Sequence, residues 1–488
     1  MAQGFINKQT TEGIETRSLI AELIEKNEIQ RAKKLCDNEL EKNQADTQVL
    51  FFLSKIAAKQ SDVDTAIDIL LKALNNEPTH LGLQFELAKL LYSSRSSYPD
   101  AAKAALNLLN QINSGEYYEK AKILLAEIFT ASGYYEEAVN QLKMVLGANP
   151  DNMEAYLQWA KVLIKEAKNT EAFNKIEYVL SKDILLPEAF YLMSQIVSFS
   201  DADGQYLKEM KETLRIKKLS RKEKGFLNFA LAKAFQDQND YKRAYEAYVE
   251  AANQINKGLN YDINLDLKLI DNIKKTFNQS VFQNQQESIN PSELSNFKPI
   301  FVISFPGLGV QELVKDLLED NARAYLGENS FLSQMLTGSR YSNDFLNLIT
   351  KFTQLDSENL DIFRSHYLDN VAKVVGDLVS SIDTSKTNFI YVGLIKLLFP
   401  HAEIIYLKST VKENAMLETY LQLFDELEMN FSYNLKNLNQ FYIEFEKLME
   451  HWLALFPDIQ IRDSVEGSLT KDLLPFFTKD LNNVLKMH

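Results

Sequence analysis

A period of 34 residues runs through the first half of this chain and limits what that half can fold into. Ala32, Ala66, Ala138, Ala172 and Ala244 are separated by 34, 72, 34 and 72 positions, and 72 is two periods with four residues inserted. Other positions keep the same register. Leu125, Ala126 and Phe129 precede Ala138, with Gly133 in a turn before it and Leu142 and Val145 after it. Trp159, Ala160, Leu163, Ala172, Ile176 and Val179 take those places in the next unit, and Leu231, Ala232, Phe235, Ala244, Tyr248 and Ala251 in a later one. Leu53, Ser54, Ala66, Leu70, Ala73 and Pro78 form an earlier unit. About seven units are predicted between roughly 13 and 256. Two are irregular: the one near Leu87 to Leu109 carries the insertion SSRSSYP, and the one starting at Pro187 has Phe190, Met193 and Ser194 but a weak second helix. A repeat of this length cannot bury its apolar face alone, so the stable form is a stack.

The pattern resembles the tetratricopeptide repeat (TPR), two antiparallel helices with large and small residues at fixed places. Small residues at the marker positions let the helices of a unit approach closely, while large ones fill the gap toward the neighbouring unit. The resemblance implies a right-handed superhelix whose concave face binds a protein or peptide. Candidates on that groove are Gln84, Gln158, Lys161, Gln195 and Asn228. The plainer reading of each is a solvated polar residue, since a helix needs a polar face whatever it binds.

Composition agrees with helices: the 488 residues hold 16 Gly and 10 Pro, each under half the usual share of about 7 % and about 5 %. With 45 % hydrophobic and 11 % aromatic residues, the chain is neither disordered nor collagen-like. No stretch approaches the roughly 18 uncharged apolar residues of a membrane helix, and the start, MAQGFINKQTTEGIETRSL, lacks the basic end and apolar core of a signal peptide. A cytoplasmic protein is expected. Cys36 stands alone and the five histidines show no ligand spacing, so no disulfide and no metal site are expected. The net charge of −14 opposes attraction to nucleic acid or anionic membrane and points to a protein or small-molecule partner.

From Phe277 to Phe297 the text turns rich in Gln, Asn and Ser, with Pro291, and reads as a connector. Beyond it, Ile300 to Ser304 is a β-rich run, Pro306-Gly307-Leu308-Gly309 a tight turn, and Val310 to Leu318 alternates at helical spacing. Further strands are predicted at Ala402 to Leu407 and Ile459 to Arg462, each after a helical stretch, which argues α/β with a parallel sheet. The expected division is a solenoid over 1–275, a connector over 276–298 and an α/β domain over 299–488. Ligands of such sheets bind at the carboxyl ends of the strands, so the first turn is the place to look.

Both halves together resemble the bacterial TPR sulfotransferases, relatives of the tyrosylprotein sulfotransferases. LSRKEKGFLNFALAKAFQDQNDYKRAYEAY is similar to that family's last repeat, TNFIYVGLIKLLFPHAEIIYLK to its "NF…GLI…FP.A.II" core, and Leu448-Met449-Glu450-His451-Trp452 to its LMxHW motif. The resemblance implies an all-α TPR solenoid followed by an α/β P-loop-like sulfotransferase domain. It also implies transfer of a sulfuryl group from 3′-phosphoadenosine-5′-phosphosulfate to a hydroxyl such as tyrosine, helped by cationic and hydroxyl groups on the leaving phosphate and by a general base.

Those groups are largely missing. The family's phosphate loop has the form P-R-S-G-T-T, whereas this chain reads Pro306-Gly307-Leu308-Gly309-Val310-Gln311. Proline and the second glycine survive; arginine, serine and both threonines do not. The arginine after the second strand falls on Lys408 or Ser409, and the serine beyond it on Leu417 or Glu418, where a carboxylate would repel phosphate. The lysine of the family's Asp-Lys-x-Pro segment is lost or displaced to Lys386. No match is found for its QVR-x-PIY closing segment. Gly327-Glu328 aligns with the family's Gly-Glu, which makes Glu328 the candidate base, though a glutamate after a turn glycine suits a helix start without any chemistry. His451 and Trp452 are expected to pack the core or satisfy a buried hydrogen bond.

Losing one preorganised donor costs about 3 to 4 kcal/mol, or about 10² to 10³ in rate, and at least four polar partners are missing from one loop. The favoured reading is therefore a TPR scaffold fused to a catalytically impaired sulfotransferase fold without cofactor, its pocket above Gly309 plugged by Leu308 and Val310. The alternative is an active transferase acting on a peptide gripped by the repeats, its degenerate donor site of Pro306, Gly307, Gly309 and Gln311 rebuilt with Lys386, Lys408 or a partner's residue. A third reading, a purely structural self-assembling homo-oligomer, predicts size that grows with concentration in light scattering.

Overall fold

The computed structural model describes residues 15–26, 28–60, 62–93, 101–182, 186–200, 204–216, 218–259, 261–286, 297–319, 323–327, 332, 343–375, 380–424, 427–464 and 471–486. Two compact units divide the chain, one of 1–128 with 337–345 and the other of 129–336 with 346–488.

The first unit holds helices α1 (15–25), α2 (Ile29–Lys42), α3 (Thr47–Lys59), α4 (Val63–Asn76), α5 (Leu81–Ser93), α6 (Ala101–Gln111) and most of α7 (Tyr118–Ala131). Local chemistry starts several of them: the carboxylates of Asp46 and Asp62 accept from Val49 N and Thr65 N, capping α3 and α4. On α4 the buried residues Ala66, Ile67, Leu70 and Ala73 form one stripe at helical spacing, whereas α3 buries eight positions because helices flank it on both sides.

The second unit continues the pairs with α8 (Tyr135–Ala148), α9 (Met153–Lys165), α10 (Asn169–Ser181), α11 (Pro187–Ile196), α12 (Gly204–Ile216), α13 (Arg221–Asp237) and α14 (Tyr241–Asn256). All five marker alanines are fully buried, as close helix packing requires. The turn residues repeat too. Gly133, Ala167 and Asn239 have φ of 79, 57 and 59°, and each lies five residues before a marker alanine, so one left-handed turn recurs with different side chains.

Helices α15 (Ile263–Thr276) and α16 (Gln279–Gln286) follow. The stretch read as a connector thus begins with ordered structure: Phe277 is 1 % exposed and Phe282 lies 4.8 Å from Phe456. Residues 287–296 lie outside the described residues. Helix α15 packs along a long helix of the α/β region, α22 (Leu435–Leu455), through Lys274 and Glu444 at 3.5 Å.

The α/β region holds β1 (Ile300–Ser304), α17 (Gln311–Leu317), β2 (Arg323–Tyr325), α18 (Asn343–Phe352), α19 (Ser357–Val375), β3 (Ser380–Asp383), α20 (Asn388–Leu398), β4 (Glu403–Lys408), α21 (Lys412–Tyr420), α22, β5 (Gln460–Asp463) and α23 (Leu474–Lys486). Its sheet is parallel throughout, in the order β2-β3-β1-β4-β5. The three expected strands are β1, β4 and β5; β2 and β3 are additional. The text of β3, SSID, carries no apolar period, yet Ser381, Ile382 and Asp383 are fully buried. Helix α20 is buried on every face, the signature of a core helix. Trp452 Nε1 donates to Phe389 O at 2.9 Å and His451 Nε2 meets Phe277 O at 2.7 Å, so both play the structural part expected of them. Among the described residues no helix is long and apolar enough to cross a membrane.

Candidate functional site

The chain leaves β1 toward β2 on one side of the sheet and leaves β4 toward β5 on the other. The crevice between the carboxyl ends of β1 and β4 is therefore the switch point where ligands of such sheets bind, and the loop 305–310 lies there. Its base is fixed by aromatic packing. Phe305 is 2 % exposed, with ring centroids 4.9 and 5.3 Å from those of Tyr442 and Phe445. Leu308 N donates to Phe305 O at 3.0 Å, closing a four-residue turn. Pro306 and Gly307 occupy its centre, and Gly307 has φ of 96°, the left-handed backbone that the third residue of a type II turn needs.

The end of α21 and the residues just after it cover this turn. Glu418 Oε2 accepts from Gly309 N at 3.2 Å. Thr419 Oγ1 donates to Pro306 O at 2.5 Å, and Gln422 Nε2 donates to Gly307 O at 2.7 Å. A Cβ on Gly307 would lie 2.9 Å from Thr419 Cα and 3.2 Å from Phe424 Cζ, so glycine is required there by space as well as by φ. Leu308 and Val310 are buried, at 6 % and 7 % exposure. Gln311 is exposed as the first residue of α17, and its Oε1 turns back toward Gly309.

The two lysines lie at the margins. Lys386 Nζ sits 5.8 Å from the centroid of the Phe424 ring. Lys408, at the end of β4, pairs with Glu446 at 3.2 Å and is half-exposed. Ser409 is buried and donates to Val411 O at 2.8 Å. The turn bearing Lys386 is tied down on both sides. Asp383 Oδ1 accepts from Ser385 N and Asn388 Nδ2 at 2.9 and 3.0 Å, and Asn388 Nδ2 also reaches Val302 O of β1 at 3.3 Å. Burial pushes the Asp383 carboxyl up to about 6, against the pull of the Ser385 and Asn388 hydrogen bonds. Thr384 donates through N and Oγ1 to Gly327 O at 3.2 and 2.9 Å. The candidate base Glu328 lies outside the described residues.

The tertiary structure thus brings 306–309, Lys386 and the 418–424 segment to one edge of the sheet. Sequence reasoning noted Glu418 and missed Thr419, Gln422 and Phe424. Thr419 lies at the end of α21 and Gln422 and Phe424 just beyond it, and nothing in their local sequence says what they meet.

The groove candidates differ in placement. Gln84 and Gln158 are buried, at 6 % and 4 % exposure, and Gln84 donates to Pro78 O at 2.9 Å, so these two serve the interior of the repeats. Lys161 pairs with Glu188 at 2.6 Å, Asn228 donates to Lys224 O at 2.8 Å, and Gln195 is exposed.

Fold and site define a helical TPR-like region followed by an α/β region with a five-stranded parallel sheet. No family model matches the chain. An uncharacterized protein of Aquifex aeolicus (strain VF5) is 27 % identical over 266 residues, 53 % of this chain and 34 % of that protein. The chain thus spans about a third of the length of this curated relative. Among solved structures, a tetratricopeptide repeat protein from Parabacteroides merdae is similar over 51 % of this chain and 93 % of its own, with 14 % identity and a TM-score of 0.39. PilF of Pseudomonas aeruginosa is similar over 42 % and 92 %, with 15 % identity and a TM-score of 0.35. At such TM-scores these likenesses add no weight to the helix pairs themselves.

Proposed function

We propose that the chain is a protein-interaction scaffold whose repeats are fused to a sulfotransferase-like domain that no longer handles its donor. One observation carries the reading of the second domain: the Gly309 amide, which an anion would have to engage, is taken by the chain's own Glu418 carboxylate. The bond is exposed and 3.2 Å long, so it is weak in itself, but an incoming phosphate must displace it and then face the Glu418 charge beside it. Thr419 and Gln422 hold the same turn by its carbonyls, so reshaping it around a ligand would cost those two hydrogen bonds as well. Lys408 is already paired with Glu446.

The fold tolerates this because strands, aromatic packing and the buried helix α20 do not need the missing cations and hydroxyls. The test is calorimetric titration with 3′-phosphoadenosine-5′-phosphate. Silence at millimolar ligand is expected; micromolar binding, or labelled sulfate arriving on a tyrosine-bearing acceptor, overturns the reading in favour of an active transferase.

A further inference from the structure

The chain is acidic overall, yet residues 208–224 hold eight lysines and arginines against three glutamates. Where α12 ends and α13 begins, Arg215, Lys218, Arg221 and Lys222 are exposed and Lys224 is half-buried. Arg221 donates to the Lys257 carbonyl, which brings the exposed end of α14 and a sixth cation to the same corner. Surface charges elsewhere in the repeats are commonly matched within one helical turn, as in Lys26 with Glu22, Arg31 with Glu28 and Arg243 with Asp240. Among the described residues, none of the six corner cations is in an ion pair. The nearby Glu223 carboxylate turns back to accept from Ser220 N at 2.8 Å as part of a capping box.

The arrangement also runs against helix electrostatics. The first turn of a helix favours acidic side chains, whereas α13 begins Arg221, Lys222, Glu223, Lys224. Arg215 in the last turn of α12 and Lys257 at the end of α14 suit their helix dipoles, but local folding does not explain Lys222 and Lys224, and Lys222 lies at 5.4 Å over the Phe226 ring with its charge at the surface. We propose that this corner, made by Arg215, Lys218, Arg221, Lys222, Lys224 and Lys257, docks a short acidic peptide segment of a partner protein. Charge complementarity selects an anionic partner, and the acidity of the remaining surface selects a short one. A nucleic acid duplex, with a charge about every 1.7 Å, would extend past the corner onto a surface that repels it. The inference rests on the scaffold reading of the repeats and names the partner chemistry.

The experiment is fluorescence anisotropy of the full chain with a labelled peptide of alternating glutamate and serine. Wild-type binding should weaken as salt rises. The charge-reversed triple variant Arg215→Glu, Lys218→Glu, Lys222→Glu should bind at least ~10-fold more weakly. A control with the same change in net charge, Lys33→Glu, Lys34→Glu, Lys72→Glu, should lie within ~2-fold of wild type. Thermal unfolding of the triple variant should stay close to wild type, since the carboxylate placed in the first turn of α13 is favourable and the one placed in the last turn of α12 unfavourable by similar amounts. Equal loss in both variants, no loss in the triple variant, no peptide binding at all, or tighter binding of duplex DNA or phosphatidylserine vesicles overturns the corner. The nucleotide titration, which these variants leave unchanged, judges the parent reading separately.

Discussion

Replacing Gly393 with alanine should destabilise the α/β region, although helix propensity argues the reverse. Gly393 lies inside α20, whose residues are all buried, and alanine is better than glycine in a helix interior by about 0.8–1.0 kcal/mol. A Cβ on Gly393, however, would lie 2.5 and 2.8 Å from Cδ1 and Cδ2 of Phe277 and closer still to Cγ. Carbon contacts are comfortable at about 3.5–4.0 Å, so the ring must retreat by about 1 Å. It has little room. Phe277 is 1 % exposed, its ring is packed against Trp452 and Phe282 at centroid distances of 5.9 and 6.2 Å, and its carbonyl is bound by His451. Cγ is one bond from Cβ, so the clash reaches the main chain at the end of α15. Overpacking of this kind costs about 1–3 kcal/mol, which offsets the propensity gain and leaves a net loss of up to about 2 kcal/mol.

The assay is urea unfolding in a Trp159→Phe background, where Trp452 becomes the single tryptophan reporter. A chain with several units need not unfold in one step, so the transition that Trp452 reports is the one to compare. Phe277→Ala alone should cost about 3–5 kcal/mol. In its presence Gly393→Ala should become neutral or stabilising by about 1 kcal/mol, a coupling that a double-mutant cycle isolates. If Gly393→Ala already stabilises the otherwise unaltered chain by its propensity gain, Phe277 does not sit against Gly393 and the reasoning fails.

Ala167 holds the left-handed turn that Gly133 holds one period earlier, with φ of 57°. Ala167→Gly should raise the repeats' unfolding midpoint by up to about 1 kcal/mol in stability, the strain relieved less the glycine entropy, as thermal unfolding by circular dichroism would show. Asp383, with its carboxyl pushed up to about 6, favours the folded state most when neutral. That contribution is complete below about pH 4 and lost as pH rises through about 6, leaving a penalty of about 3 kcal/mol at pH 8. Asp383→Asn should therefore gain stability relative to wild type across that window, and a flat difference would refute it. His451 is held below its usual value by burial, so its contribution is present above about pH 6.5 and lost as pH falls; His451→Gln should flatten the acid side of the stability profile measured by urea titration.

Much of the first half is legible in the sequence because a repeat writes a tertiary contact as a local spacing. Ala66, Ala138, Ala172 and Ala244 are buried where the period puts them, since every unit meets its neighbour in the same way. The later strand β4 is visible as a short apolar run between helices, while the exposed β5 was legible only by its place after a long helix. Strands β2 and β3 are not, because three or four residues of mixed polarity carry no period. The buried Ser381 and Asp383 read as loop until the sheet closes around them. The turn 305–308 was also readable, as Pro306 and Gly307 name their own backbone shape.

What covers that turn was not. Glu418 lies 109 residues from Gly309, and which side chain finds which amide depends on how α21 settles beside β1, a matter of packing across the sheet. The same holds for Phe277, whose surroundings of Gln, Asn and Ser suggest a linker while its ring fills a glycine-shaped gap in α20. Helices, turns and repeat register were set by contacts between residues close in the chain, which the amino-acid order records directly. The covered turn at 305–308 and the packing of Phe277 against α20 come from contacts made only once the whole chain has closed, and only the tertiary structure could decide them.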